Sequence, residues 1–188
     1  MTETPNPNIV DADTLTGEMH PVRRCVLSIG SNLGDRLNHM QGAVDALADT
    51  PEVWLTAVSP VYETEPVDAP ADSQDFLNAV VLLDTTLTAR TLLERALAIE
   101  DAYGRERTSY PNAPRTLDVD LIVVGDRRAD DEHLVLPHPK AHERAFVLAP
   151  WHDVDPDAEI PDVGPVADLL VKAGDQVVTV RDDLSLTF

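Results

Sequence analysis

Apolar residues recur along the chain with two spacings, one typical of strands and one typical of helices. Runs rich in aliphatic and β-branched residues predict four strands, at Cys25–Ile29, Trp54–Tyr62, Phe76–Asp84 and Thr116–Val124. Apolar residues three and four positions apart predict two helices, one ending near Ala48 and one running from a Thr88 cap to about Tyr103, where Gly104 is expected to end it. The residues expected to face inward are Leu37, Met40, Val44 and Leu47 on the first helix, and Leu92, Leu93, Ala96, Ile99 and Tyr103 on the second.

The order strand–helix–strand–strand–helix–strand predicts the ferredoxin-like βαββαβ plan, an α+β fold with an antiparallel sheet. Both helices are expected to pack on one face of the sheet, which leaves the other face for a substrate. Two proline-containing loops, 63–75 and 105–114, are long enough to act as lids over that face. We expect a C-terminal extension with an extended piece at 134–139, a helical turn at 140–144 and a last strand at Gln176–Val180, held by Leu169, Leu170 and Val177.

Composition divides the chain into a disordered tail, residues 1–22, and a single domain, residues 23–188. The first 20 residues are polar, contain neither Lys nor Arg, and lack the apolar stretch of a signal peptide. Nothing in the sequence approaches the length of a membrane span. Cys25 is the only cysteine, so no internal disulfide can form, and we expect an inert core residue in a cytoplasmic protein.

The formal net charge of −20 argues against nucleic acid as a partner, because proteins that bind nucleic acid through overall charge are basic. A phosphate site would have to be built locally. Half of the Lys and Arg residues do lie between positions 105 and 144, namely Arg105, Arg107, Arg115, Arg127, Arg128, Lys140 and Arg144. This clustering fits a local phosphate site, and chance grouping on a solvated surface is the alternative.

Two aspartates interrupt the last of the four predicted strands. Asp118 and Asp120 are two residues apart, so their side chains leave the same face with Cα atoms roughly 6–7 Å apart. Neighbouring carboxylates repel unless they are protonated or share a cation, and Mg²⁺ favours one or two carboxylates together with substrate phosphates. The alternative is an edge strand with a solvated acidic face. The apolar flanks favour a covered strand and therefore a metal site.

The stretch Asn112–Ile122, which reads NAPRTLDVDLI, closely resembles the signature of the 6-hydroxymethyl-7,8-dihydropterin pyrophosphokinase family of folate biosynthesis. The stretch Ile29–Gly34 resembles the opening strand and turn of that family, and the likeness covers about residues 24–150. It implies a transferase that moves the diphosphate of ATP to the hydroxymethyl group of the pterin and releases AMP. We expect a monomer that acts on these small molecules, without nucleic-acid or membrane partners.

The resemblance also implies roles for individual residues. Asp118 and Asp120 would hold two Mg²⁺ ions, and Glu100 would lie near the waters of the metal site. Arg107 and Arg115 would share the catalytic role with the two aspartates, and ATP would be bound by four residues, namely Arg107, Arg115, His138 and Arg144. Taken alone, Glu100 reads equally well as an exposed helix residue, and His138 as a packing or capping histidine between prolines.

A pterin is flat and rich in donors and acceptors, so its pocket needs aromatic stacking and a few fixed hydrogen bonds. By resemblance, Phe76 and Phe146 would enclose the ring and Asn78 would bind its edge. Thr64 and Val67 would complete the pocket. Considered singly, the phenylalanines read as core residues, whereas a lone amide inside an apolar strand is harder to explain without a ligand.

Several positions depart from the family pattern and leave adenine binding and loop closure open: Glu65, Pro111, Asn112, His133 and Pro139. Two other functions fit the same predicted fold. A nucleotidyltransferase-like palm would place a third carboxylate opposite Asp118 and Asp120 and would lack a pterin pocket. A non-enzymatic ligand-binding module would not bring Arg107, Arg115 and Arg144 together at one site.

Overall fold

The computed structural model describes residues 21–66, 71–104 and 116–188. The predicted tail therefore lies, up to residue 20, outside the described residues, as do residues 67–70 of the first predicted loop and the whole of the second, 105–114. The elements in chain order are β1 Arg23–Ser31, α1 Arg36–Ala48, β2 Val53–Val58, β3 Tyr62–Thr64, β4 Phe76–Thr85, α2 Ala89–Ala102, β5 Asp118–Val124, β6 Ala129–Asp130, β7 Val135–Leu136, a 3-10 turn Ala141–Glu143, α3 Ala145–Val154, β8 Glu159–Ile160, β9 Gly164–Pro165, α4 Val166–Lys172 and β10 Thr179–Val180.

The main sheet has the ferredoxin-like arrangement that the sequence predicts. Its strands run in the order β10-β3-β4-β1-β5, with β2 also paired to β4, and neighbouring strands are antiparallel. The first and last strands of the βαββαβ unit, β1 and β5, lie side by side because α1 and α2 each carry the chain across the sheet.

The second predicted strand is divided in two. The chain leaves the sheet ladder between β2 and β3, at Ser59 and Pro60, and both pieces pair with β4. Proline has no N–H to donate to a neighbouring strand, so a break there is physically reasonable. Ser59 keeps the two pieces aligned, because its hydroxyl accepts a hydrogen bond from the Val80 amide at 2.8 Å.

The two predicted helices cover one face of the sheet. The side chains of Met40, Val44 and Leu47 on α1 and of Leu92 and Ala96 on α2 are fully buried in the main core. The Thr88 hydroxyl caps α2 by accepting from the Thr91 amide, and Gly104 follows with a positive φ of 72°, as predicted. Cys25 is buried in the same core, and desolvation raises its pKa to about 12, which agrees with an inert thiol.

The opposite face is not left entirely open, so that prediction is wrong in part. Helices α3 and α4 pack over its apolar half, where Trp151 and Leu148 contact a second cluster of buried residues. Leu169 and Leu170 join this cluster as predicted, but Val177 is 82% exposed and the last strand is only Thr179–Val180. The substrate face is thereby reduced to the polar half of the sheet.

None of the helices in the described ranges has the length and apolar character needed to cross a membrane.

A glycine inside α1 makes room for the end of α2. A Cβ atom on Gly42 would lie 1.6 Å from Tyr103 Oη and 2.4 Å from Tyr103 Cζ. The Tyr103 ring is also held edge-on against His39, with ring centroids 5.8 Å apart. The whole ring would therefore have to move to admit a methyl group.

We predict that Gly42→Ala destabilises the protein although alanine favours helices. Overpacking costs about 1–3 kcal/mol, which exceeds the gain of about 1 kcal/mol in helix propensity. The measurement is the free energy of unfolding in urea, and the effect of Gly42→Ala is measured both in the unaltered chain and in a chain that carries Tyr103→Ala. In that background Gly42→Ala should become neutral or stabilising; a stabilising effect in the unaltered chain would contradict the prediction.

Candidate functional site

A boundary between apolar and polar residues crosses the central strands on the face that carries α3. Ser28 of β1 pairs with Asp120 of β5. Two residues on, Gly30 pairs with Asn78 on one side and with Asp118 on the other. The residues of this face that lie beneath α3 are instead apolar, namely Val26, Val80, Leu82 and Ile122. The polar ends of three strands therefore form one surface beside the helix.

Three carboxylates converge at one end of this surface. One oxygen each from Glu100, Asp118 and Asp120 lies within 4.8 Å of the other two. Glu100 reaches the pair from α2, where it is only 1% exposed, and accepts a hydrogen bond from the Val119 amide at 2.8 Å. The interpretation of Glu100 as an exposed residue is thus wrong. Oxygen ligands so close together suit a hard divalent cation, so this donor set fits Mg²⁺.

Two of the four expected phosphate-binding cations lie in the described residues, next to these carboxylates. The His138 amide donates to the Ile122 carbonyl at 2.8 Å, which fixes that loop against β5. Arg144 precedes α3, and its guanidinium lies 5.5 Å from the centre of the Phe146 ring. Arg107 and Arg115 lie outside the described residues, and their roles stay predictions.

The environment of His138 favours a neutral imidazole. Burial lowers its pKa, the positive charge of Arg144 lowers it further, and the Asp118 carboxylate opposes both effects. Its Nδ1 accepts a hydrogen bond from the Lys140 amide at 3.1 Å, which leaves the proton of the neutral ring on Nε2. His138 can therefore donate from Nε2 to an anionic oxygen without taking a charge. The hydrogen bond also agrees with the alternative of a capping histidine. The two roles are compatible, because the cap uses Nδ1 and a ligand would use Nε2.

The expected ring-binding residues gather at the other end of the polar surface. Asn78 is 4% exposed, and its amide donates to the Thr64 hydroxyl at 3.0 Å. Thr64 pairs with Phe76 across β3 and β4, and Phe146 lies in the first turn of α3 over the same face. Both phenylalanines are only partly buried, so they are available to a ligand. Val67 lies outside the described residues.

Gly30 separates the two groups of residues and was not singled out as a functional residue by its sequence. A Cβ atom there would lie 3.1 Å from Asn78 Oδ1 and 3.3 Å from the Leu77 carbonyl oxygen. A glycine inside a buried strand often marks a site where a ligand approaches closely. Asn78 and Asp118, the partners of Gly30, are two strand spacings apart, or roughly 10 Å.

The arrangement can perform a particular kind of chemistry. Carboxylates that can hold a cation adjoin a neutral donor and an arginine, which together suit a polyphosphate. The buried Asn78 amide and the two partly exposed aromatic rings, Phe76 and Phe146, lie on the same surface. A group transferred from the phosphate side would reach an acceptor in that pocket across Gly30.

Comparison with known proteins gives a consistent result. Residues 26–156 match the family model described as 7,8-dihydro-6-hydroxymethylpterin-pyrophosphokinase (HPPK). A relative from Mycobacterium tuberculosis H37Rv, named 2-amino-4-hydroxy-6-hydroxymethyldihydropteridine pyrophosphokinase, is 44% identical over 162 residues, which cover 79% of this chain and 83% of the relative. A relative of the same name from Pseudomonas aeruginosa is 40% identical over 149 residues and covers 79% and 91%.

Solved structures of other proteins resemble the fold of this chain. The crystal structure of wild-type Plasmodium falciparum HPPK-DHPS with pterin and p-hydroxybenzoate has a TM-score of 0.63 at 14% identity, over 85% of this chain and 44% of that chain. The chain thus spans less than half the length of these solved chains. At this identity the match bears on architecture, and it agrees with the ferredoxin-like plan.

We predict that divalent cations stabilise this protein through the three carboxylates. With free Mg²⁺ or Mn²⁺ at about 100 times the dissociation constant, ligand linkage gives about 2.7 kcal/mol of stabilisation, read as a rise in the melting temperature. Asp118→Asn and Glu100→Gln should each largely remove that rise. The matched control is Glu94→Gln, the same change at an exposed position of the same helix. An equal rise in all four proteins would contradict the assignment.

Proposed function

The chain belongs to the 7,8-dihydro-6-hydroxymethylpterin-pyrophosphokinase family, and we propose that it transfers the diphosphate of ATP to the hydroxymethyl group of 6-hydroxymethyl-7,8-dihydropterin. It is a pyrophosphokinase of folate biosynthesis, and ATP is the co-substrate. The alcohol oxygen attacks the β-phosphorus and loses its proton. The bond from that phosphorus to the α-phosphate oxygen breaks, so the products are AMP and the pterin diphosphate.

One observation carries the assignment of the site. Asn78, Gly30 and Asp118 stand in register across β4, β1 and β5, so that a ring-binding amide and a metal-binding carboxylate share one surface. Catalysis of this type needs positioning and charge stabilisation more than covalent help from the protein. A rigid sheet supplies that positioning, because neither group can move without breaking the strand pairing.

The pterin occupies the pocket formed by Thr64, Phe76, Asn78 and Phe146, with Val67 completing it. Asn78 has a donor and an acceptor to offer to the ring edge, and Thr64 holds it in place at 3.0 Å. The aromatic side chains supply stacking surface, which restricts a flat ring to one plane. The hydroxymethyl group then lies on the side of Gly30 that faces the carboxylates.

Asp118 and Asp120 hold Mg²⁺, two ions as the family resemblance implies, and Glu100 supports the pair from α2. Bound there, Mg²⁺ would neutralise phosphate charge and orient the attacked phosphorus. His138 donates from Nε2 to a phosphate oxygen, and Arg144 adds a charged donor. Arg107 and Arg115 bind phosphates as well, with Arg107 closing over them. The lone, buried Cys25 fits a reducing cytoplasm, where we place the protein as a monomer.

A nucleotidyltransferase remains the second candidate, because Glu100 is the third carboxylate which that alternative requires. The two enzymes differ in the bond that they break. A nucleotidyltransferase releases pyrophosphate, whereas the pterin enzyme releases AMP. The Asn78–Thr64 pocket and the family membership favour the pterin enzyme.

We predict that the protein mixed with Mg·ATP and 6-hydroxymethyl-7,8-dihydropterin forms AMP, and that AMP formation depends on the pterin. Asp118→Asn and Asp120→Asn should each lower kcat by at least about a hundredfold, because charge stabilisation in the transition state is lost. Nucleotide chromatography measures the products, and Glu94→Gln serves as the control. Release of ADP or pyrophosphate, or full activity in both variants, would refute the proposal.

We predict that Gly30→Ala weakens pterin binding selectively. The added methyl group would lie 3.1 Å from Asn78 Oδ1 and 3.9 Å from Phe76 Cδ1, both in the proposed ring-binding group, and a misfit of one methyl group costs about 10–200-fold in specificity. The KM for the pterin should therefore rise at least about tenfold, while the KM for ATP changes little. Steady-state kinetics with each substrate varied in turn test this. An unchanged pterin KM would show that the ring does not lie over this strand.

A further inference from the structure

The last ten residues, 179–188, lie against the edge of the sheet next to the pterin pocket; they are called the C-terminal segment below. Its strand β10 pairs with β3, with Thr179 opposite Glu63 and Val180 opposite Tyr62. The pairing continues where the Arg181 amide donates to the Val61 carbonyl at 2.8 Å. The family match ends at residue 156, so this segment is no part of it.

Two arginines meet on one carboxylate beneath this segment. Arg181 of the segment donates to one oxygen of Glu63 at 2.5 Å, and Arg36 of α1 donates to the other at 2.7 Å. All three side chains are mostly buried, between 22% and 28% exposed. Burial raises the pKa of Glu63, but the hydrogen bonds from Arg36 and Arg181 outweigh it and hold the pKa below its ordinary value. Glu63 is therefore a charged, doubly bound residue.

The position of Glu63 connects this network with the pocket. Glu63 directly precedes Thr64, and the same Nη1 atom of Arg36 that binds Glu63 also donates to the Asp75 carbonyl at 2.7 Å. Asp75 directly precedes Phe76, which pairs with Thr64 across the two strands. One guanidinium thus contacts the Glu63 side chain and the Asp75 backbone, and these two residues directly precede Thr64 and Phe76.

Both ends of the C-terminal segment are fixed. Arg181 also binds Asp183 through two nitrogens, at 2.8 and 2.7 Å, which orients its guanidinium. At the far end, Gln41 of α1 donates to the Thr187 carbonyl at 2.7 Å and accepts from the Thr187 amide at 3.0 Å. Leu184 and Leu186 pack against the main core between these points. Arg181 is therefore held on both sides of the contact with Glu63.

Stability alone does not account for the network. A single exposed ion pair adds little stability, whereas charge-assisted hydrogen bonds to a shared carboxylate fix the geometry of the groups that they join. A comparison pair exists in the same sheet, where Arg24 binds Asp84 at 3.1 Å with the arginine 59% exposed. That pair joins β1 to β4 at the end away from Phe76 and touches no proposed ligand residue.

We propose that Arg36 and Arg181 are positioning residues for the pterin pocket, acting through Glu63 and the Asp75 carbonyl to hold β3 and the start of β4, which carry Thr64 and Phe76. The inference rests on the proposed function, because it takes these two residues to contact the pterin. It assigns to the C-terminal segment a part in substrate binding, although none of the proposed ligand residues lies in the segment.

The test compares Arg181→Ala with Arg24→Ala, which removes an arginine from an ion pair of the same sheet. Arg181→Ala should raise the KM for the pterin, and the dissociation constant of 6-hydroxymethylpterin in a fluorescence titration, by roughly tenfold. Its kcat and its KM for ATP should stay within about twofold. Arg24→Ala should change none of these, and Arg181→Lys should recover part of the loss because one charged donor is restored.

A double-mutant cycle identifies the route. If Arg181 acts through Glu63, Arg181→Ala has no further effect on the pterin KM once Glu63→Gln is present. Independent, multiplicative effects would overturn the proposal, as would an unchanged pterin KM in Arg181→Ala or an equal change in Arg24→Ala. Should Arg181→Ala fail to fold, the pterin KM of Arg181→Lys and a double-mutant cycle of Arg181→Lys with Glu63→Gln provide the test. Absence of AMP from the unaltered protein would refute the function instead, and the fluorescence titration would still test the positioning.

Discussion

The close approach of three carboxylates is the constraint on which the rest of the site depends. Their oxygens lie within 4.8 Å of one another, a distance that carboxylates keep only when something holds them there. Strand β5 fixes two of them through its pairing with β1, and the buried neighbours Leu117, Val119 and Leu121 prevent the strand from turning. Glu100 is fixed by the Val119 amide between the aspartates. The packing of α2 and β5 holds the three carboxylates together, and a bound cation would offset the repulsion among them.

The division of one sheet face into an apolar and a polar half explains where the substrate site lies. Helix α3 covers the half that carries Val80 and Leu82, because those side chains must be removed from water. The other half carries Asn78, Gly30 and Asp118, and there the buried Asn78 amide is satisfied by its hydrogen bond to Thr64. The start of α3 therefore marks the rim of the site, and Arg144 and Phe146 stand at that rim.

Local patterns were enough to predict the core elements, the caps and the acidic pair, since each depends on neighbours in sequence. Thr88, Gly104 and the alternation around Asp118 and Asp120 are examples. Glu100 could have been recognised as buried, because it follows Ala96 by four residues and extends the inward stripe of α2. Gly30 and Arg36 could not, because their importance comes from partners that the sheet brings together. The covering of the second face by α3 likewise depends on tertiary packing.

A protein of net charge −20 can still bind a polyphosphate, because the charges that matter are close ones. At physiological ionic strength the Debye length is about 8 Å, so acidic residues on distant surfaces are largely screened. Near the carboxylates, Arg144 lies 5.5 Å from the Phe146 ring, and its guanidinium is held by that ring's face. A phosphate ligand and a stacked ring would therefore meet side chains two residues apart on one rigid turn. The start of α3 therefore joins the two proposed subsites.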